Sequence, residues 1–442
     1  MITINDKSLC CGCSACQKAC PRHCIIMKAD EEGFLYPEVD APSCVNCGLC
    51  EKVCQELHPF EKRTPLKAIA AHNNDTTTRL NSSSGGVYSI LAEQVILQGG
   101  VVFGALFDDN WQVKLKYAED LDEASKFRCS KYVQAEVGNS YRECEKFLKE
   151  DRKVLFSGTP CQIAGLLHFL KKPYENLITV DVACHGVPSP MVWTAYLDII
   201  RNALSIEDLG LLIRQLQFLK FDLFYHKDRN VLELWSKRHE NDYMAAFIKN
   251  LTLRPSCYNC QCKNFKSQSD LTIADFWGVE TIAPHLDDNK GICLVLINTQ
   301  RGACFFESTS VCSTTVEMKS SIAANPALTV SAPRPDYRED CVKPNSNELL
   351  IQNIRNGLKD KNKKKIDYLR KSISSFCHLI FRTLGLEKKE AFIIKGKRIK
   401  NKGQLIKVLG NSRFGEINAI NFRNKIYGWK QYGLSIEFRI EK

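Results

Sequence analysis

The segments KVLFSGTPCQIAGLLHFL (residues 153–170) and LITVDVACHGVPSPMVWTAYLDII (residues 177–200) decide the fold. Each reads as a short apolar run, a Gly/Pro-bearing loop and then an apolar pattern at helical spacing. Successive strand, loop, helix units predict a parallel α/β sheet with both loops at its carboxyl edge, where such sheets bind ligands. That edge brings Cys161 and Cys184 to the same side, although they are far apart in sequence. Upstream, SSSGG (82–86) precedes the helix pattern VYSILAEQVILQ (87–98), Gly99 and Gly100 punctuate, and VVFGALF (101–107) reads as a buried strand. A Ser/Gly loop feeding a helix N-terminus suits a phosphate of a nucleotide cofactor. A simple N-cap with flexible glycines accounts for the same residues.

Composition narrows the rest. The 442 residues are 44% apolar and 25% charged, which sets aside collagen-like, disordered and low-complexity classes. The chain has 22 cysteines, too sparse for a disulfide-knotted secreted scaffold and better suited to metal or redox chemistry. The opening MITINDKSLCCGC has no apolar stretch of signal length, and no run of about 18 apolar residues follows, so a soluble cytoplasmic protein is expected.

Ten cysteines precede residue 55. Cys10, Cys13, Cys16 and Cys20 with Pro21 form CxxCxxCxxxCP, and Cys44, Cys47, Cys50 and Cys54 repeat the spacing. This is the bacterial two-cluster ferredoxin run. Three thiolates of one tight loop reach three irons of a cubane, and the fourth, on a short helix, points to the other cluster. Cys10, Cys13, Cys16 and Cys54 are therefore assigned to one 4Fe-4S cluster, and Cys20, Cys44, Cys47 and Cys50 to the second. IIMKADEEGFLYPEV between them reads as a hairpin. Zinc knuckles are the competing account, but two complete four-cysteine runs fit cubanes better. Cys11 and Cys24 fall outside the pattern and read as small buried residues.

RPSCYNCQC supplies Cys257, Cys260 and Cys262. With the two loop cysteines, a third 4Fe-4S site is expected at Cys161, Cys184, Cys257 and Cys260. Cys262 replacing one of these, a zinc site using Cys257, Cys260, Cys262 and one more ligand, and simple buried thiols remain alternatives.

The blocks SSSGGVYSILAE, QGGVVFGALF, RCSKYVQAE, KVLFSGTPCQIAGL, DVACHGVPSP, LRPSCYNC, SDLTIADFWG and DDNKGICLVLINT, over about residues 68 to 300, resemble the coenzyme F-420 hydrogenase/dehydrogenase beta-subunit family. The resemblance implies FAD with a 4Fe-4S cluster beside it, and electron passage between clusters and flavin. It places the flavin site at Ser83, Ser84, Gly85 and Gly86, at Ser130, Lys131 and Tyr132, and at Gly158, Thr159 and Pro160. A cation such as Lys131 favours a flavin pyrophosphate or reduced ring, or is a solvated surface residue. His185 is a hydrogen-bond donor to cluster or substrate, or a structural residue. Asp275 of ADFWG reads as orienting the site and Trp277 as packing.

The net charge of +11 is uneven. Residues 345–442 hold 23 Lys/Arg against 8 Asp/Glu, so the rest is slightly acidic. ISSFCHLIFRTLGL, flanked by basic residues, reads as a helix that lies on an anionic membrane face, docks an acidic partner protein or packs on its own domain. Nucleic acid is not expected, because no recognition-module spacing accompanies the charge.

The expected architecture is an α+β ferredoxin-like two-cluster module (1–62), an α/β domain with a mainly parallel sheet (66–344) binding flavin and a third cluster, and a helical, basic appendage (345–442). The expected activity is that of an iron-sulfur flavoprotein oxidoreductase. It exchanges electrons with a redox partner protein or small carrier, a deazaflavin coenzyme being a candidate substrate. An electron-delivery subunit without a substrate of its own, docking a catalytic partner or an envelope-polysaccharide pathway protein, is the alternative.

Overall fold

A computed structural model of the chain describes residues 1–203, 242–342, 349–354, 356, 392–394 and 397–399. The chain divides into two compact units, Met1–Phe221 with Ala246–Ile351, and Asp222–Ala245 with Gln352–Lys442. Of the second, the described part includes a short antiparallel pair, Phe392–Ile394 with Lys397–Ile399. The basic helix expected around ISSFCHLIFRTLGL lies outside the described residues.

The first unit opens with helix α1 (Ala15–Ala19), strands β1 (Ile25–Ala29) and β2 (Leu35–Val39), and helix α2 (Leu49–Lys52). The two strands form the expected antiparallel hairpin, from Ile25 opposite Val39 to Ala29 opposite Leu35. Asp30 Oδ1 closes its turn, accepting from the N–H groups of Glu32 (3.0 Å) and Phe34 (2.9 Å). Gly33 has φ +79°, and any β-carbon there would stand 2.8 Å from the Met191 nitrogen, so both backbone conformation and close approach require glycine.

The body follows as β3 (Lys67–His72), α3 (Thr76–Leu80), α4 (Val87–Ile96), β4 (Val101–Phe107), β5 (Val113–Ala118), α5 (Leu121–Ser125), α6 (Ser140–Lys149), β6 (Val154–Gly158), α7 (Pro160–Leu170), β7 (Leu177–Val182), α8 (Pro190–Ala203), β8 (Leu271–Asp275), β9 (Cys293–Ile297) and β10 (Cys312–Thr315). These strands make one sheet in the order β10-β3-β9-β8-β7-β6-β4-β5. Pairing is parallel through β4, β6, β7 and β8, as the strand, loop, helix grammar predicts. It is antiparallel at β5 and from β9 outward through β3 and β10. The crossover helices enforce the parallel centre. Residues 108–112 between β4 and β5 are too few for a crossover and return the chain as a hairpin.

Both faces of the sheet are covered, which explains why its central strands are continuously apolar. Side chains alternate along β6: Leu155 packs with Val87, Leu91 and Val95 of α4, while Val154 and Phe156 face Tyr141 and Phe147 of α6 and Ile163 and Leu166 of α7. Ala15 and Val53 belong to this second core, so residues 1–62 fold against the body. Polar clamps join them: Arg338 donates to Glu32 Oε1 at 2.8 Å, Ser189 Oγ donates to the Glu32 carbonyl at 2.6 Å, and Arg142 donates to the Lys18 carbonyl at 2.9 Å. Among the described residues no helix is long and apolar enough to cross a membrane.

Candidate functional site

The carboxyl ends of β6 and β7 gather the cysteines that the sequence keeps apart. Cys161 lies in the first turn of α7, where Thr159 donates its N–H to Gln162 Oε1 at 2.9 Å and caps the helix start. Cys184 follows β7, and Cys257 and Cys260 come from the 3-10 turn Pro255–Asn259 and its exit. The four are within electrostatic reach of one another in every pairing. Burial pushes the Cys184 thiol up to about 12, with Cys161 and Cys260 adding to it, and raises Cys257 further. Cys161 is held well above its ordinary value by its hydrogen bond with Cys11, then by burial. Cys260 moves the other way, lowered by its hydrogen bond with Cys262 and by the Lys263 charge and N–H. The Val187 N–H donates to Cys257 Sγ at 3.4 Å.

Thiols raised like those of Cys161, Cys184 and Cys257 do not ionise unaided. A cofactor whose irons supply positive charge suits them, and so do N–H groups aimed at sulfur. Among the described residues no three His, Cys, Asp or Glu side chains are arranged around a single metal ion. Four cysteines within electrostatic reach of one another are a donor set that fits a 4Fe-4S group.

The cysteines of residues 1–62 lie close together, Cys16 being within electrostatic reach of Cys50 as well as of Cys10 and Cys54. Cys10, Cys13, Cys16 and Cys54 interact as one set, and burial, then Cys10 and Cys54, pushes Cys16 up to about 12. Cys20, Cys44, Cys47 and Cys50 line a single hollow with Cys24, Pro21 and Val45. Cys24 Sγ is 3.4 Å from Cys20 Sγ, so it belongs to the wall of that hollow.

Cys11, which the spacing left without a role, connects the first set to the third. It hydrogen-bonds with both Cys13 and Cys161, and Gln55 Nε2 donates to its Sγ at 2.6 Å. Gln55 stands where proline follows the first run, and it is buried. Its Oε1 accepts from Cys262 Sγ at 2.8 Å. Cys262 thus holds Gln55 beside the third set. Neither Gln55 nor Cys11 carried a spacing signal; the missing proline was the only mark.

The expected flavin residues fall in two neighbouring loops and at the end of β6. The Ser130 N–H donates to Ser83 Oγ at 3.0 Å, joining the SSGG and SKY loops. Ser84 Oγ donates to the Ile292 carbonyl at 2.8 Å. Gly85 packs so tightly that a β-carbon would lie 2.5 Å from the Ala71 carbonyl oxygen. Gly86, at φ +75°, caps α4. Lys131 is turned into its own loop, its Nζ donating to the carbonyls of Lys126, Arg128 and Cys129 at 3.0, 2.6 and 3.1 Å. Burial lowers its amine to about 7. Gly158 abuts Gln162, and Pro160 begins α7.

Tyr132 and His185 share Phe247, at ring separations of 5.2 and 5.4 Å. His185 Nε2 and Asn250 Oδ1 are 2.5 Å apart, and burial lowers the imidazole's pKa. Asp275 ends β8 opposite Cys293, whose thiol faces Ser84 and the N–H groups of Gly85 and Val87. Asp275 therefore neighbours the SSGG loop, whereas His185 adjoins Cys184. Trp277 is 40% exposed, not packed in a core.

Residues 151–320 match the family described as the C terminus of the coenzyme F420 hydrogenase/dehydrogenase beta subunit. That segment, which holds the four converging cysteines, is similar to this family, whose name places its members among hydrogenase and dehydrogenase oxidoreductases. A solved structure described as the F420-reducing [NiFe] hydrogenase complex from Methanosarcina barkeri, in a xenon derivative, is similar at 16% identity and a TM-score of 0.36, covering 71% of this chain and 94% of that one. None of the curated proteins matches the chain significantly.

Proposed function

We propose that this chain is an iron-sulfur flavoprotein oxidoreductase that passes electrons between a ferredoxin-type or deazaflavin carrier and a substrate or partner protein. The observation that carries the reading is the convergence of Cys161, Cys184, Cys257 and Cys260 from separate segments, adjoining the ferredoxin set through Cys11. When bound, 4Fe-4S clusters supply single-electron chemistry and FAD supplies electron pairs. The residues of the chain do the rest. Cys10, Cys13, Cys16 and Cys54 hold one cluster, Cys20, Cys44, Cys47 and Cys50 the second, and the converging four the third. The Val187 N–H and the 260–263 turn donate to sulfur, and Gln55 holds Cys11 between the first and third sets.

FAD is assigned to the joined loops of Ser83 and Ser130 and to residues 158–160, on the strength of the family resemblance. Lys131 supports that site by holding the 126–129 turn in shape rather than by presenting its charge. The family is that of a subunit, which favours work beside a partner chain. His185, next to Cys184, donates its Nε2–H to Asn250 Oδ1, whose own amide nitrogen donates to the Pro333 carbonyl, so toward substrate it presents Nδ1 as an acceptor.

Anaerobic purification with iron, sulfide, zinc and flavin analysis tests the reading. Three cubanes require about 12 iron atoms per chain, with about one flavin. Zinc without flavin overturns it. About 8 iron atoms leaves the ferredoxin module and removes the third cluster.

A further inference from the structure

Two buried cations flank the third cysteine set, and neither hydrogen-bonds to a carboxylate among the described residues. Arg254, three residues before Cys257, is 0% exposed. Its Nε donates to the Cys10 carbonyl at 2.7 Å, Nη1 to Gln134 Oε1 at 3.0 Å and Nη2 to the Leu35 carbonyl at 2.9 Å, and Nη2 is 3.7 Å from Cys10 Sγ. The guanidinium also lies over Tyr36 at 4.3 Å and Phe34 at 5.3 Å. Its charge is felt at Cys10 and Cys11 on one side and Cys257 on the other. Glu56 is within electrostatic reach of it, but makes no ion pair with it among the described contacts.

Lys263 is 8% exposed. Its Nζ donates to the carbonyls of Cys184 (2.5 Å) and Ala327 (2.6 Å), and its charge reaches Cys184 and Cys260.

A guanidinium in this setting keeps its proton, so burying it is tolerable only beside compensating negative charge. Carbonyls and aromatic faces supply dipoles and quadrupoles, not a counter-ion. A thiolate-ligated cubane supplies one, since it is anionic and gains one more negative charge on reduction.

We propose that Arg254 and Lys263 form a buried cationic frame that raises the reduction potential of the cluster at Cys161, Cys184, Cys257 and Cys260, Arg254 being shared with the ferredoxin cluster ligated by Cys10. The inference rests on the iron-sulfur reading above. Fixed positive charge in a low-dielectric surround attracts the reduced cluster more than the oxidised one, which is what moves a potential upward. Arg254 and Lys263 are positioning residues, since the charge acts through the cluster and touches no substrate.

The test is an EPR-monitored titration of the full-length, cluster-loaded chain with dithionite as one-electron donor, alongside iron and sulfide analysis. The third cluster is identified as the signal missing in Cys257→Ser. Arg254→Gln and Lys263→Gln remove the charge, while Arg254→Lys and Lys263→Arg keep it and disturb the hydrogen bonds. The neutral variants are expected to lower the third cluster's midpoint by a tenfold change in its reduced-to-oxidised ratio, about 59 mV for one electron, and the charge-keeping variants by less than threefold. Neutral variants with full iron and unmoved midpoints overturn the proposal. If they fail to retain the third cluster, retention by the charge-keeping pair supports it, and loss in all four overturns it in favour of shape alone. Wild-type chain without about 12 iron atoms sinks the cluster reading itself, an outcome distinct from any of these.

Discussion

A β-carbon built on Gly165 of α7 would stand 2.8 Å from Cys13 Cβ and 3.0 Å from its Sγ. The crossover helix of the body and the first cysteine loop meet there with no room for a methyl group. In a helix interior alanine is favoured over glycine by about 1 kcal/mol, but overpacking costs about 1–3 kcal/mol. The Tyr141 hydroxyl, 2.9 Å from the same β-carbon, closes the other escape. Gly165→Ala is therefore expected to destabilise the chain and loosen residues 1–62. Faster proteolysis between residues 60 and 66 and lower iron content would register this; a more stable variant with full iron would refute it.

The ion pair of Arg338 with Glu32 ties the hairpin turn to the end of the body. Arg338 is 2% exposed and also donates to the Leu253 carbonyl at 2.7 Å. Removing one partner of a buried pair costs about 3–5 kcal/mol, more than removing both. Arg338→Met should lower the denaturation midpoint substantially, and adding Glu32→Gln should recover part of the loss. Additive losses in the double variant would show that the two side chains act independently.

Cys262 and Cys257 are close in sequence but stand in different relations to the third set. Cys262 is tied to Gln55 and Cys260 by hydrogen bonds and is within reach of Cys161 as well, whereas Cys257 is within reach of Cys161, Cys184 and Cys260. Cys257→Ser should reduce the iron content from about 12 to about 8 per chain, while Cys262→Ser should leave it near 12. The reverse pattern would make Cys262 a ligand.

Asp181 on β7 is buried and accepts from Ser267 Oγ at 2.5 Å, and its other oxygen has no hydrogen-bond partner among the described residues. Burial pushes its carboxyl up to about 6. The folded state then binds the proton more tightly than the unfolded one, so stability falls as pH rises from about 4 through 6, by about 3 kcal/mol in all. Asp181→Asn should remove that slope and be the more stable form at pH 7. Parallel denaturation curves for the two proteins across this range would refute the assignment.

Local patterns in the chain were enough for the ferredoxin spacing, the 25–39 hairpin and the parallel β6 and β7 units with their loops at one edge. Each depends on residues within one turn, or on a repeated strand, loop, helix grammar. The antiparallel edges were not legible, because β3 and β9 pair across more than 200 residues and no local signal specifies such a partner. The same limit hid Arg254. It stands in the LRPSCYNC block, yet its meaning depends on Cys10, Leu35 and Gln134, which only tertiary packing brings to it.

The repeated CxxCxxCxxxC spacing of Cys10–Cys20 and Cys44–Cys54 is legible in the sequence, because spacing in a tight loop is a local property of the chain. By itself the sequence determined that Cys161 and Cys184 sit on the same edge, because right-handed strand, loop, helix units leave no other place for them. The sequence also offered Cys257 and Cys260 as their companions, whereas only the tertiary structure placed Cys11 and Gln55 between the first and third sets and turned Lys131 into its own loop. The physical reason is that buried charge and thiol contacts are set by what packs opposite them, and in this fold the opposite partner comes from a distant segment.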